Sequence, residues 1–155
     1  MTYPAAKDAP DILAFPPAVT LGAVLAAVVL DWLWPLGSPP QMAWLGGLLI
    51  LMAFGIAGAG IRAFKAAKTN VDPRKPSLVL VETGPYQFTR NPMYLGMVAL
   101  QLGVALTFAV EWALIGAVVV WSILHWGVVL REEAYLTAKF GAPYEAYLRR
   151  TRRWL

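Results

Sequence analysis

Two short segments of the chain hold the residue types that could do chemistry. Arg90-Asn91 lies directly before one apolar stretch, and Glu132-Glu133 lies directly after the next one. Neither glutamate has a basic residue four positions away, so each carboxylate needs a cation from elsewhere: Arg90, or a bound ammonium or sulfonium group. If the two segments face one another at a membrane boundary, they form a polar pocket. Such a pocket suits an enzyme that acts on a lipid-borne group with a charged cofactor.

The first segment also has a purely structural interpretation. Asn91 is a good helix N-cap and Pro92 suits the first helical position, so this pair alone predicts the start of a helix. Arg90 and the turn at 84–86 are not needed for that start. Because free N–H groups at a helix N-terminus and a neighbouring arginine attract anions, the segment also predicts a site for an anionic or carboxylate group.

The elements that must position these segments are membrane helices. Of the 155 residues, 59% are hydrophobic and 14% are charged, whereas soluble domains carry about 25% charged residues. A span needs about 20 apolar residues. We therefore predict an all-α membrane protein, a single membrane-embedded domain over 1–155 with four transmembrane helices and a C-terminal cytoplasmic amphipathic helix. The expected spans are about 13–34, 43–63, 93–110 and 112–130.

Positive charges give the expected topology. Six of the 13 lysines and arginines lie between the second and third spans and six follow the fourth, while Lys7 precedes the first. The connections at 36–41 and Glu111 have none, so the positive-inside rule places both termini and the 65–90 loop in the cytoplasm. This distribution explains the net charge of +4 without a nucleic-acid partner. The lack of cysteine and the single histidine argue against a metal site.

The third and fourth spans are joined almost directly around Glu111, which predicts an antiparallel hairpin that brings both polar segments to one cytoplasmic edge. The apolar run 78–81 is too short to span, and we expect it to form a wall against the bundle. Apolar and aromatic residues recur at helical spacing from 136 to 147, so an amphipathic helix should follow the fourth span, with a break at Gly141.

Two polar residues inside the predicted spans have two interpretations each. His125 lies seven residues before Glu132 and so on the same face of a regular helix; a hydrogen-bonded structural role is the favoured interpretation, and extension of a polar track into the bilayer is the alternative. Gln101 is expected to form a hydrogen bond between helices rather than to take part in chemistry.

The two segments together resemble the isoprenylcysteine carboxyl methyltransferase family and its phospholipid methyltransferase relatives. The shared pattern reads Gly-x-Tyr, then Arg-(His/Asn)-Pro-x-Tyr-x-Gly, a hydrophobic hairpin, and Glu-Glu-x-x-Leu-x-x-x-Phe-Gly-x-x-Tyr-x-x-Tyr, and it covers 77–154. The resemblance implies an integral membrane methyltransferase that uses S-adenosylmethionine and no metal. Its partner would be a membrane lipid, a lipid-modified substrate or another hydrophobic acceptor at the cytoplasmic face.

In the family, the cofactor lies in a cytoplasmic pocket between these two blocks. The resemblance implies that Glu132 holds a polar group of the cofactor, such as its amino group, and that Glu133 orients neighbours such as Arg90. For catalysis, Arg131 would anchor an acceptor carboxylate, or Glu133 would take a proton from an acceptor amine. The other implied cofactor-binding residues are Leu78, Val79, Leu80, Val81, Tyr86, Arg90, Asn91, Pro92, Met93 and Tyr94.

Two positions depart from the family pattern. Many relatives have a histidine where this chain has Asn91, and carboxyl-methylating members have an arginine at a position that Val128 occupies here. The acceptor therefore stays open between a prenylcysteine-type carboxylate and a phospholipid amine, and the oligomeric state is not predicted. Two other classes remain: a nicotinamide-dependent membrane reductase, which would need more spans and a basic phosphate-binding pocket, and a non-enzymatic membrane scaffold.

Overall fold

The computed structural model describes residues 8–37 and 41–155; Lys7 and the Pro39-Pro40 part of the first connection lie outside them. Within the described residues the chain is helical, with one isolated bridge between Thr89 and Arg152. The helices are α1 (Pro16–Leu33), α2 (Ala43–Ala66), α3 (Pro92–Phe108), α4 (Trp112–Leu124), α5 (Leu130–Phe140) and α6 (Ala142–Arg150), with a 3₁₀ turn at Gly84–Gln87 and a π-helical turn at His125–Val129.

Three helical stretches in the described part of the chain are long and apolar enough to cross a membrane: Pro16–Leu33, Ala43–Ala66 and the continuous stretch Trp112–Phe140. The apolar helix α3 has 17 residues and is shorter. The protein is thus an all-helical integral membrane protein, while the exact number of four spans stays a prediction. The helix after residue 112 also continues ten residues beyond the predicted end at 130.

The predicted ends of the other spans shift by a few residues. Helix α1 begins at Pro16 rather than near 13, because Phe15 has extended backbone and serves as the N-cap. Helix α2 extends to Ala66 rather than 63. Helix α3 begins at Pro92 and ends at Phe108, because the following Ala109 adopts the left-handed conformation with φ of 54°. That residue turns the chain into the predicted hairpin of α3 and α4.

Helices α2 and α3 pack along a seam of small residues. Gly46, Ala53 and Gly60 recur every seventh residue on α2, where Gly46 faces Gly103, Ala53 faces Gly96 and Gly60 faces Met93 of α3. A Cβ atom at Gly46 would lie 2.3 Å from the Thr107 hydroxyl and 2.7 Å from the Gly103 carbonyl oxygen, so the two backbones approach as closely as glycine allows. The seam holds the start of α3, with Arg90-Asn91 just before it, beside the last turns of α2.

The π-helical turn changes the phase of the last long helix. A π turn holds more residues than an α turn, so a seven-residue spacing across it no longer places His125 on the face of Glu132, and the structural interpretation of His125 fits better than a polar track. His125 instead accepts a hydrogen bond from the Trp154 indole N–H at 3.2 Å and stacks on Trp121. The expected role of Gln101 is confirmed, since its Nε2 donates to the Thr20 carbonyl of α1 at 3.0 Å.

The C-terminal region folds back toward the start of α3. Gly141 has φ of 56° and divides the region into α5 and α6, as predicted. After α6, the Arg90 N–H donates to the Arg152 carbonyl at 2.9 Å. The two polar segments and the C-terminal residues therefore meet at one end of the bundle.

Candidate active site

A cavity lies where the end of α2, the start of α3, helices α5 and α6 and the 69–81 loop meet. It encloses about 820 Å³ of empty space when its solvent-open mouth is included. The lining includes ten of the residues predicted from the sequence: Val79, Leu80, Val81, Tyr86, Arg90, Asn91, Met93, Tyr94, Glu132 and Glu133. The structure thus brings the two polar segments to one hollow, as the hairpin predicts.

Three predicted site residues do not line this cavity: Leu78, Pro92 and Arg131. Pro92 is buried at the first position of α3, and Leu78 is largely exposed. The Arg131 guanidinium lies 3.6 Å from the Asp11 carboxylate and donates to the Asp11 carbonyl at 2.9 Å. Successive residues of an α-helix point about 100° apart, so Arg131 is turned away while the two glutamates that follow it face the cavity. Arg131 is therefore not positioned to bind an acceptor carboxylate in this cavity, as the sequence predicts it would.

Glu133 is held between two arginines. Arg90 donates through Nε and Nη2 to Oε1 at 3.2 and 3.0 Å, and Arg153 donates through Nε and Nη2 to Oε2 at 3.1 and 2.7 Å. The side chains of Arg90 and Glu133 are only 10% and 13% exposed. Both carboxylate oxygens of Glu133 are therefore occupied, which suits the expected orienting role better than that of a proton acceptor.

Glu132 has no such partner. Its Oε1 accepts a hydrogen bond from the Tyr94 hydroxyl at 2.9 Å, and no lysine or arginine of the described segments 8–37 and 41–155 forms an ion pair with it. A half-buried carboxylate without a cation is costly unless a ligand supplies one. Glu132 is thus the acid of the cavity that is available to a positively charged ligand.

Aromatic rings make up much of the wall around the two acids. Four tyrosines and Phe64 line the cavity, and the Tyr147 hydroxyl donates to the Tyr86 carbonyl at 2.7 Å. The rings of Phe64 and Tyr86 lie 5.3 Å apart. Burial raises the pKa of Tyr86, Tyr144 and Tyr147 above the ordinary value, so these side chains stay neutral. Neutral rings beside a carboxylate favour cations, because the ring faces are electron-rich.

Within the described part of the chain, the charged residues that line the cavity are three acids, Asp72, Glu132 and Glu133, and Arg90. Arg74 and Arg153 lie outside the lining and pair with Asp72 and Glu133, so Glu132 is the acid left without a cation. The hydrogen bonds from Arg74 lower the pKa of Asp72 to about 2, so this carboxylate is charged at neutral pH. The described residues hold no cluster of three His, Cys, Asp or Glu side chains that could bind a metal ion.

The sequence interpretation missed several residues of this site. Arg153 was counted only as a topology signal, and its pairing with Glu133, 20 positions away, depends on the fold-back after α6. Tyr144 and Tyr147 belong to the motif, but nothing in their spacing shows that they face a cavity. The 69–81 loop adds Asn70, whose Nδ2 donates to the Pro76 carbonyl at 2.8 Å and shapes the loop.

Comparison with known proteins places this arrangement in a family. A family model described as phospholipid methyltransferase matches residues 42–143, which is about two thirds of the chain. The chain belongs to the phospholipid methyltransferase family, within the superfamily of membrane methyltransferases that also includes the isoprenylcysteine carboxyl methyltransferases. The resemblance seen in the sequence is thereby confirmed, and the family implies methyltransferase activity in a membrane.

An uncharacterised protein of Haemophilus influenzae is 33% identical to the chain over 63 residues, which are 41% of this chain and 100% of that relative. No solved structure matches the chain.

Proposed function

We propose that the protein transfers a methyl group from S-adenosylmethionine to a lipid-borne or hydrophobic small-molecule acceptor at the cytoplasmic face of the membrane, with both termini in the cytoplasm. One observation carries the proposal: the cavity between the family's two sequence blocks contains Glu132, a carboxylate with no cationic partner among the described residues, surrounded by tyrosine rings. S-adenosylmethionine offers two cationic groups to such a site, its amino group and its sulfonium.

The charge and the aromatic character of the cavity residues suit this cofactor. Glu132 would hold a cationic group, the 79–81 segment would line the cofactor, and Tyr86, Asn91, Met93 and Tyr94 would close around it. When bound, the cofactor supplies a methyl group that is already activated for displacement. The chain's own contribution is then to orient the reactants and to exclude water, which is the main need of such a transfer.

The charge balance of the cavity supports an amine acceptor over a carboxylate acceptor. A carboxylate would need a free cation, but Arg90 is paired with Glu133, and Arg131 lies outside the lining with Asp11. A lipid amine needs no such cation, and the tyrosine rings beside Glu132 suit a cationic group. We therefore favour N-methylation of a phospholipid-type amine, and isoprenylcysteine-like carboxyl methylation is the second candidate, supported by the superfamily alone.

The other two classes have less support. The phosphate groups of a nicotinamide cofactor need free basic side chains, whereas this cavity has three carboxylates and one paired arginine. A scaffold has no need for an unpaired carboxylate in a hollow between two motif blocks.

Incubation of the purified protein with radiolabelled S-adenosylmethionine and a total lipid extract tests the proposal. The expected product is a labelled lipid that releases no volatile labelled methanol in mild alkali, because an N-methyl group resists hydrolysis and a methyl ester does not. Release of labelled methanol would favour the carboxylate acceptor. Absence of cofactor binding by isothermal titration calorimetry would contradict the proposed function as a whole, and binding of NADPH instead would favour the reductase.

A further inference from the structure

The C-terminal segment 151–154 contacts both halves of the cavity without lining it. After α6, Thr151 has extended backbone and the chain returns to the start of α3. We propose that Arg153 is a positioning residue: it fixes the acidic pair of α5 relative to the start of α3 and thereby sets the affinity for the cofactor. The inference rests on the proposed function.

The first part of the argument concerns α3. The Asn91 side chain donates through Nδ2 to the Arg153 carbonyl at 2.9 Å, and the Thr89 hydroxyl donates to the same oxygen at 3.1 Å. Asn91 is 8% exposed and lines the cavity. Its amide donor is thus used by the C-terminal segment, which sets the direction in which this side chain presents its remaining oxygen.

The second part concerns α5. The guanidinium of Arg153 approaches Glu133 as a fork, with Nε at 3.0 Å from Oε1 and 3.1 Å from Oε2, and Nη2 at 2.7 Å from Oε2. Arg90 holds Oε1 of the same carboxylate at 3.0 Å. Two planar guanidinium groups leave Glu133 little freedom to rotate. Glu132 is the neighbour of Glu133 on the same helical turn. The two arginines that hold Glu133 therefore also fix the position of the Glu132 carboxylate.

The third part concerns the anchor of the segment itself. The indole N–H of Trp154 donates to Nδ1 of His125 at 3.2 Å, and the rings of Trp121 and His125 stack with centroids 5.2 Å apart. His125, which anchors Trp154, lies on the π-helical turn that precedes α5. Arg153 is therefore held from both sides, by α3 through its backbone and by the last long helix through its neighbour, and its side chain spans the remaining gap to Glu133.

Three variants separate positioning from charge and from general stability. Arg153→Ala removes the fork, Arg153→Lys keeps the charge but cannot bridge both carboxylate oxygens, and Arg152→Ala is the matched control. The Arg152 side chain is exposed and has no acidic partner within the described segments, and the backbone carbonyl that accepts from Arg90 remains. Binding of S-adenosylmethionine is measured by calorimetry, and hydrogen exchange is followed at 89–95 in the protein without cofactor.

We expect both Arg153 variants to bind S-adenosylmethionine about tenfold more weakly or worse, because small displacements of positioned groups carry large penalties. The Kd of Arg152→Ala should stay within about twofold of wild type by the same reasoning, and the KM for the lipid acceptor should not change in any variant. Exchange at 89–95 should be faster in both Arg153 variants and unchanged in Arg152→Ala. Wild-type affinity in Arg153→Ala, or full rescue by Arg153→Lys, would overturn the proposal.

The two measurements, cofactor binding and hydrogen exchange, also separate this inference from the proposed function. If the wild-type protein does not bind S-adenosylmethionine, the proposed function fails, and the exchange data then decide the inference alone. Unchanged exchange at 89–95 in Arg153→Ala would show that the C-terminal segment does not fix the start of α3.

Discussion

The substitution Glu132→Gln removes a cavity carboxylate that has no cationic partner among residues 8–37 and 41–155 and keeps the shape of the side chain. The amide oxygen still accepts the hydrogen bond from the Tyr94 hydroxyl, which is 2.9 Å away in the wild-type protein. Two properties should then change in opposite directions. The protein without cofactor should become more stable, and its affinity for S-adenosylmethionine should fall.

The magnitude follows from the surroundings of Glu132. A unit charge pair about 4 Å apart at an effective dielectric constant of about 20 gains about 4 kcal/mol before desolvation. A hydrogen bond to a charged group contributes about 1.5–3 kcal/mol net. We therefore expect the Kd for S-adenosylmethionine to rise about 10- to 150-fold. Relief of the unpaired charge should raise the Tm of the cofactor-free protein by about 2–4 °C for each kcal/mol gained.

The assays are isothermal titration calorimetry and thermal unfolding of the purified protein in one detergent, with and without S-adenosylmethionine. Glu145→Gln is the matched control, because Glu145 is an exposed glutamate of α6 outside the cavity, and it should leave both quantities unchanged. The cofactor should raise the Tm of wild type more than that of Glu132→Gln, because stabilisation by a ligand depends on its Kd. An unchanged Kd, or a lower Tm in the variant without cofactor, would refute the reasoning.

Three further predictions concern the edges of the site and the packing that supports it. Arg131→Ala should bind S-adenosylmethionine with a Kd within about twofold of wild type in calorimetry, because its side chain pairs with Asp11 outside the cavity; a tenfold loss would return Arg131 to the site. Tyr94→Phe should weaken cofactor binding about 2- to 10-fold, since Glu132 loses its neutral donor, and unchanged affinity in the same titration would argue against this contact. Gly46→Ala should lower the Tm by an amount equivalent to about 1–3 kcal/mol, because the new Cβ would meet Thr107. Gly22→Ala should not lower the Tm, because nothing lies within 4 Å of that position. Equal Tm values for the two variants would contradict the packing seam.

The sequence by itself determined the class of the protein and the location of its chemistry. Apolar length and the distribution of positive charge are properties of local composition, so they predict membrane helices without knowledge of how these pack. The connection around Glu111 is too short for anything but a hairpin, and it therefore predicts that Arg90-Asn91 and Glu132-Glu133 meet. The spacing within those blocks was specific enough to indicate the superfamily, because each block is continuous in the chain.

Only the tertiary structure decided which way each side chain faces. The π-helical turn at His125–Val129 shifts the phase of the helix, so a seven-residue spacing no longer keeps His125 on the face of Glu132. The second cation of Glu133 comes from Arg153 through a fold-back after α6 that has no local signal. Arg131 pairs with Asp11, 120 positions earlier in the chain. Such contacts depend on helix phase and on distant parts of the chain, and neither can be read from residue types and spacing alone.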